Sequence, residues 1–147
     1  MKKNLMLCPH HALCLQFFIG KGYGDDFVAG MAEIQRALWE HEDRTVLLVA
    51  GTDQICARCP NNRAGVCEAA EKSDRYDQKC LHVFGLKTGQ SLSWRNLIQI
   101  VKRTAVLSPR VRASICSDCG WDSVCRKQQA KLLAAMSVSM ETEKHRR

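Results

Sequence analysis

Two short cysteine-rich segments dominate this sequence. They are Cys56-Ala57-Arg58-Cys59-Pro60, which is followed by Cys67, and Cys116-Ser117-Asp118-Cys119, which is followed by Cys125. Each has a Cys-x2-Cys pair and a third thiol a few residues later, a spacing by which chains bind a metal ion or an iron–sulfur cluster. We call Cys56, Cys59 and Cys67 the first triad, and Cys116, Cys119 and Cys125 the second triad. The sequence therefore predicts a metal centre.

The size and composition of the chain indicate the kind of domain that carries these thiols. With 147 residues and 46% hydrophobic content, the chain can bury a core of its own, so we predict a single domain over residues 1–147 with a partly frayed tail over 135–147. Nine cysteines are an odd number and too few for a disulfide scaffold, which favours a reducing compartment. No apolar run reaches the ~18 residues of a membrane span. We expect a cytoplasmic protein with no membrane partner.

Apolar residues recur mostly at helical spacing. Helices are predicted over 9–19, from 25 or 26 to 41, over 66–84, from 91 or 93 to 106, and over 123–140, with one strand over 45–49 and a loop around Cys56 and Cys59. This pattern predicts a mainly α fold with one or two short β-strands, forming one compact domain around a cysteine-ligated metal centre. Cys67 falls in the first turn of the third predicted helix, where the helix dipole favours a thiolate.

Each triad supplies three thiolates, so a four-ligand centre needs one further ligand. The candidates are Cys8, His10, His11, Cys14 and Cys80. Cys14 lies four residues after His10 and three after His11, so all three project from nearby parts of one short helix. Cys8 and Cys80 are interpreted as plain thiols, because free cysteine packs as a small apolar residue. We predict that the helix with His10, His11 and Cys14 closes over the triads.

These residues carry a resemblance to a known family. The matching segments are Pro9-His10-His11-Ala12-Leu13-Cys14, Asp53-Gln54-Ile55-Cys56 with Cys59-Pro60-Asn61, Cys67, Tyr76-Asp77, and Ile115-Cys116-Ser117-Asp118-Cys119 with Cys125. Over residues 9–126 the chain resembles a domain-of-unknown-function family of small, uncharacterised bacterial and archaeal proteins that are described as iron–sulfur-binding. The resemblance implies seven cysteine ligands and the His10-His11 pair, and it omits Cys8 and Cys80. Those cysteines are Cys14, Cys56, Cys59, Cys67, Cys116, Cys119 and Cys125. It implies no reaction or substrate.

The choice of cofactor depends on the ligand types. Triads made of cysteine alone, and the Cys59-Pro60 step that also ends some bacterial cluster-binding segments, favour one or two iron–sulfur clusters of the 4Fe-4S type. Zinc is the alternative, since it also accepts Cys-x2-Cys pairs completed by histidine. A thioredoxin-like use of Cys56 and Cys59 lacks the βαβ setting and leaves the other thiols unexplained.

Three functions follow from these alternatives. The first is an electron carrier or a redox- or iron-responsive module with an unidentified redox partner protein. The second is an enzyme that binds substrate at an open iron, with His10, His11 or Asp118 transferring protons. The third is a zinc-stabilised module that binds nucleic acid or protein. Its support is a net charge of +7, but the basic residues are scattered along the chain rather than gathered in one motif. The sequence identifies no catalytic residue and leaves open whether the protein is an enzyme.

Overall fold

Helices form most of this computed structural model, which describes residues 5–18, 25–50, 53, 62–63, 66–67, 70–119 and 122–145. The helices are α1 (Pro9–Cys14), α2 (Asp25–Glu40), α3 (Ala70–Phe84), α4 (Trp94–Val101), α5 (Pro109–Cys116) and α6 (Asp122–His145), and a π-helical segment (Lys102–Val106) follows α4. The strands are β1 (Leu5–Leu7), β2 (Thr45–Leu48), β3 (Asn62–Arg63), β4 (Val66–Cys67) and β5 (Ser91–Ser93). The prediction of a mainly α, compact single domain with short β-strands is confirmed, and the described residues contain five such strands rather than the one or two predicted.

The small sheet fixes the start of α1. β2 lies in the middle, parallel to β1 and antiparallel to β5, with Leu5 opposite Val46 and Thr45 opposite Ser93. Side chains alternate between the two faces of a strand, so Leu5 and Leu7 are buried while Met6 is exposed. Pro9 begins α1 directly after this strand, where a proline at the first helical position costs no hydrogen bond. The chain that carries His10, His11 and Cys14 is therefore anchored to the sheet.

The hydrophobic core lies between this sheet and the helices. Trp94, Leu97 and Val101 on α4 are fully buried, and they share one cluster with Leu13 of α1 and Ile115 of α5. Helix α1 packs against α3 and α4, and α5 packs against α3, α6 and the π-helical segment. Cys14 at the end of α1, Cys116 at the end of α5 and Cys125 near the start of α6 all pack against this one cluster.

Helix ends follow their local sequence signals. Gly85 ends α3 in the left-handed conformation (φ +68°), and Leu86 N–H donates to the Leu81 carbonyl (3.1 Å), as in a Schellman C-cap. Ser93 caps α4 through the amide of Asn96 (3.1 Å), and Ser108 caps α5 through the amide of Val111 (3.3 Å). The predicted helix end at 84, the start at 91 or 93 and the end at 106 are confirmed, whereas the cap of α5 was not predicted.

Four segments differ from the sequence-based predictions. The prediction that Cys67 lies in the first turn of a helix is wrong: it lies in β4, paired with Asn62, and α3 begins at Ala70. Val66 is β-branched and fits a strand better than a helix start. Helix α1 ends at Cys14, and turns follow it where helix was predicted to continue to 19. Helix α6 extends to His145, beyond the predicted end at 140. Helix α5 was not predicted. Within the described residues, no helix has both the length and the apolar character needed to cross a bilayer.

Candidate metal centre

Four thiols lie on or next to α1, α5 and α6, and three of them, Cys14, Cys116 and Cys125, pack against the same core cluster. Cys14 ends α1, Cys116 ends α5, Cys119 lies in the turn after it, and Cys125 lies in the first turn of α6; all four are partly buried. Burial, followed by the nearby thiols of Cys125, Cys116 and Cys119, raises the pKa of Cys14 well above its usual range. Cys14 therefore lies within electrostatic reach of the whole second triad. We call Cys14, Cys116, Cys119 and Cys125 the four-thiol site.

The turn between α5 and α6 positions the second triad. The amide of Cys119 donates to the Cys116 carbonyl (3.0 Å), and the amide of Asp122 donates to the Cys119 carbonyl (3.0 Å). These two successive turns fold the chain back on itself so that α6 begins beside the end of α5. Cys125 lies one turn into α6, and burial followed by the Cys116 thiol raises its pKa to about 11. The second triad is thus held by short-range backbone bonds.

A buried cation lies beside these thiols. Arg112 is 1% exposed and lies one helical turn before Cys116, and its guanidinium approaches the Cys116 Sγ at 3.7 Å. Its remaining donors reach Asp122 Oδ1 (2.7 Å) and Gln129 Oε1 (2.9 Å). Burial raises the pKa of Cys116, and the Arg112 charge acts in the opposite direction. A buried cation of this kind offsets the negative charge that thiolates acquire when they bind a metal.

Gln129 connects this cation to the π-helical segment. Its side chain is 1% exposed, and its amide nitrogen donates to the carbonyls of Ala105 and Val106, both at 2.9 Å. The π turn, in which the Leu107 amide donates to the Lys102 carbonyl (3.0 Å), replaces the ordinary i→i−4 bond there. Gln129 therefore uses its nitrogen on the backbone and its oxygen on Arg112, so every described polar atom of this buried bridge has a partner.

Asp118 ties the turn between Cys116 and Cys119 to α3. Its carboxylate accepts from the Tyr76 hydroxyl (2.9 Å) and pairs with Arg75, while its carbonyl accepts from Lys72 Nζ (2.7 Å). The Tyr76 hydrogen bond, with Arg75 and Lys72 adding to it, lowers the pKa of Asp118. The predicted proton-transfer role of Asp118 is untested; in the structure this residue anchors the turn.

The two adjacent histidines each bind a buried carboxylate. His10 Nδ1 lies 2.5 Å from Asp77 Oδ1, and His11 Nδ1 lies 2.6 Å from Asp53 Oδ2, with the ring centroids 4.1 Å apart. Burial and the neighbouring His11 lower the pKa of His10, whereas for His11 the attraction of Asp53 outweighs burial and raises the pKa. Burial alone would raise the pKa of Asp53, but His11 holds it well below its usual range.

Cys8 joins the second of these pairs. Its amide donates to Asp53 Oδ2 (2.6 Å), and its thiol lies in a group with a ring nitrogen of His11 and a carboxylate oxygen of Asp53, with all three atoms within 4.8 Å of one another. These are residue types that can share one metal ion. Asp77, beside His10, has a buried oxygen, Oδ2, for which the described part of the chain offers no hydrogen-bond partner.

The sequence-predicted ligands therefore fall into three sets. Cys14, Cys116, Cys119 and Cys125 come together, while His10 and His11 face Asp77 and Asp53 through their Nδ1 atoms. Cys56, Cys59 and the side chain of Cys67 lie outside the described residues, so the first triad stays a prediction. Cys80 is fully buried on α3, and its raised pKa reflects burial, then Asp77 and Cys116.

Sequence reasoning gave no role to several residues of this region: Arg112, Gln129, Asp122, Asp53 and Asp77. Arg112 precedes Cys116 by four positions, a spacing that puts both on one helix face and could have drawn attention to it. Asp53 and Asp77 were part of the family resemblance but carried no assigned contact. Gln129 gave no signal, because its role depends on how α6 packs against the π-helical segment.

Comparisons with known proteins identify a family but no function. A family model described as "Protein of unknown function (DUF1284)" matches residues 22–125. The match includes both triads and begins after the segment with His10, His11 and Cys14. No curated protein and no solved structure matches the chain.

Proposed function

The chain belongs to the DUF1284 family of proteins of unknown function, and from this premise we propose that it is an iron–sulfur protein whose four-thiol site holds a cluster. The observation that carries the proposal is that Cys14, Cys116 and Cys125 pack against one core cluster, with Cys14 within electrostatic reach of all three thiols of the second triad. Four cysteines are the usual ligand set of a 4Fe-4S cluster, and the triad alone would be one short. When bound, such a cluster supplies one-electron redox chemistry.

The spacing of the thiols supports a cluster over a single zinc ion. Thiolates around one zinc ion, bound at ~2.3 Å, lie about 3.8 Å from one another. Among the described residues, the group with all ligand atoms within 4.8 Å is Cys8, His11 and Asp53, and no three members of the four-thiol site meet that limit. A cluster is larger than one ion and holds its thiolates further apart, so the wider spacing suits it.

The surroundings support a redox role. A cluster bound by four thiolates is anionic, and Arg112 places a buried positive charge at the Cys116 sulfur (3.7 Å). Hydrogen bonds to ligand sulfurs and local charge are the means by which proteins adjust cluster potentials. With four protein thiolates, no iron is left open for substrate, which favours an electron carrier or a redox- or iron-responsive module over an enzyme. The partner would be a redox protein.

Metal analysis of the protein purified without oxygen tests this proposal. We expect iron and acid-labile sulfide in equal amounts, about four of each per cluster, with a brown colour that bleaches on reduction. A first-triad cluster would double both values without changing their ratio. Colourless protein with zinc but neither iron nor sulfide would contradict the proposal.

A further inference from the structure

We propose that Cys8, His11 and Asp53 bind a single divalent ion of the zinc class, at a site separate from the four-thiol site. Their ligand atoms all lie within 4.8 Å of one another, which is the spacing of donors around one ion. This inference does not rest on the proposed iron–sulfur cluster, because none of the three residues belongs to the four-thiol site.

The fold brings these residues together from distant parts of the sequence. Cys8 directly follows β1, His11 lies in the first turn of α1, and Asp53 lies 45 residues after Cys8. The Asp53 carboxylate accepts from the Cys8 amide (2.6 Å) and from His11 Nδ1 (2.6 Å), so backbone and side chain both hold it towards the other two donors. Such prior positioning lowers the cost of forming a metal site.

Charge balance favours a divalent ion here. The Asp53 side chain is fully buried and Cys8 is 0% exposed. A thiolate and a carboxylate together carry two negative charges, which one divalent cation neutralises, and burying a neutral set costs much less than burying a net charge. Binding would displace protons from the Cys8 thiol and the His11–Asp53 pair.

The donor types narrow the choice of ion. One sulfur, one imidazole nitrogen and one carboxylate oxygen form a borderline-soft set that suits zinc, whereas calcium and magnesium prefer oxygen alone. Three protein ligands also leave a fourth position open for water or substrate, which is the pattern of catalytic rather than structural zinc. The His11 ring is the partly exposed member of the set, at 14% of its side-chain surface.

The chain contains a matched control for each proposed ligand. Cys80 is as buried as Cys8, His10 has the same 14% side-chain exposure as His11, and Asp77 is a buried carboxylate paired with His10 as Asp53 is with His11. We expect Cys8→Ser, His11→Gln and Asp53→Asn to weaken zinc binding by about tenfold or more, and Cys80→Ser, His10→Gln and Asp77→Asn to leave it within about twofold.

The deciding experiment gives one equivalent of Zn²⁺ to the full-length, anaerobically prepared protein and measures X-ray absorption at the zinc edge, with affinities from chelator competition. The unmodified protein should show one sulfur and two or three nitrogen or oxygen neighbours per zinc, which requires no variant to fold. A zinc shell with two or more sulfurs, zinc affinity that is indifferent to Cys8→Ser in folded protein, or no zinc uptake would overturn the proposal. Iron and sulfide content, measured on the same samples, reports the four-thiol site separately.

Discussion

The guanidinium of Arg112 lies 3.7 Å from the Sγ of Cys116, and both belong to the same face of α5. The same guanidinium binds Asp122, the first residue of α6, and Gln129, which lies further along that helix. One buried side chain therefore joins the two helices that carry the second triad and also places a positive charge at one of its sulfurs.

Replacing Arg112 should affect both stability and redox potential. Arg112→Met leaves Asp122 and Gln129 without their buried partner, and breaking a buried ion pair costs about 3–5 kcal/mol. In cluster-loaded protein the variant should also have a lower reduction potential, because the lost cation stabilises the more negative, reduced state. Denaturant unfolding and a potentiometric titration measure the two effects.

Arg126→Met is the control for this change. Arg126 binds the other oxygen of Asp122 (3.2 Å), but its side chain is 66% exposed. An exposed pair contributes less than about 1 kcal/mol, so its loss should barely change stability. Equal effects of the two variants on stability and potential would show that the Arg112 contact with Cys116 has no special role.

Gln129→Leu should destabilise the junction between α6 and the π-helical segment. The substitution makes the side chain apolar at a similar size and leaves the carbonyls of Ala105 and Val106 and one donor of Arg112 without this partner. Each buried group left without a partner costs about 1–3 kcal/mol. Hydrogen exchange should accelerate first around residues 102–107. Gln128→Leu, one position earlier and only partly buried, should have little effect; similar losses in both variants would contradict this account.

Tyr76→Phe tests how α3 holds the turn of the second triad. The hydroxyl of Tyr76 donates to Asp118 (2.9 Å) and is the foremost cause of the lowered pKa of that carboxyl. Without it, the pKa of Asp118 should rise towards its usual value, as followed by carbon NMR of the side chain against pH. An unchanged pKa would mean that Arg75 and Lys72 alone position Asp118.

The Asp53–His11 pair gives a pH-dependent contribution to the stability of metal-free protein. The pKa of Asp53 is depressed, so its contribution is complete above its unfolded-state pKa and is lost as the pH falls. The pKa of His11 is raised, so its contribution is complete below its unfolded-state pKa and is lost as the pH rises through the raised value. Both are present together between about pH 4 and pH 6.5.

Asp53→Asn should therefore cost more stability at pH 5.5 than at pH 9, as measured by denaturant unfolding of chelator-treated protein. In a His11→Gln background, the cost of Asp53→Asn should no longer fall between pH 5.5 and pH 9, because the imidazole whose titration weakens the pair is absent. A cost for Asp53→Asn that stays constant from pH 5 to pH 9 would show that the pair is not an ion pair in the folded protein.

The sequence predicted the fold wherever local signals decide the structure. Gly85 directly follows the predicted helix end at 84, Ser93 caps the helix predicted to start at 91 or 93, and the apolar Met31 and Leu38 of the predicted second helix are buried. It failed at Cys67, where pairing with Asn62 in a two-residue strand outweighed the helical pattern that follows. Such pairing depends on a partner strand, which a local pattern does not report.

The site was less predictable than the fold. The ligand spacing of the second triad and the cysteine on α1 can be read from the sequence, because chemistry restricts which residues can bind a metal. The burial of Arg112 and Gln129 cannot, since the same residues on an exposed helix face would have no special role. The pairing of Cys8 with His11 and Asp53 likewise depends on the sheet, which sets where α1 begins.

The central claim is that Cys14 completes the second triad, and the iron content of Cys14→Ala against Cys80→Ala tests it most directly. Both thiols lie near Cys116, but Cys14 interacts with all three thiols of the triad and Cys80 with Cys116 alone among them. Anaerobically purified Cys14→Ala should lose the iron and sulfide of one cluster, about four of each per chain, while Cys80→Ala keeps them. Full iron in Cys14→Ala together with loss in Cys80→Ala would contradict the assignment.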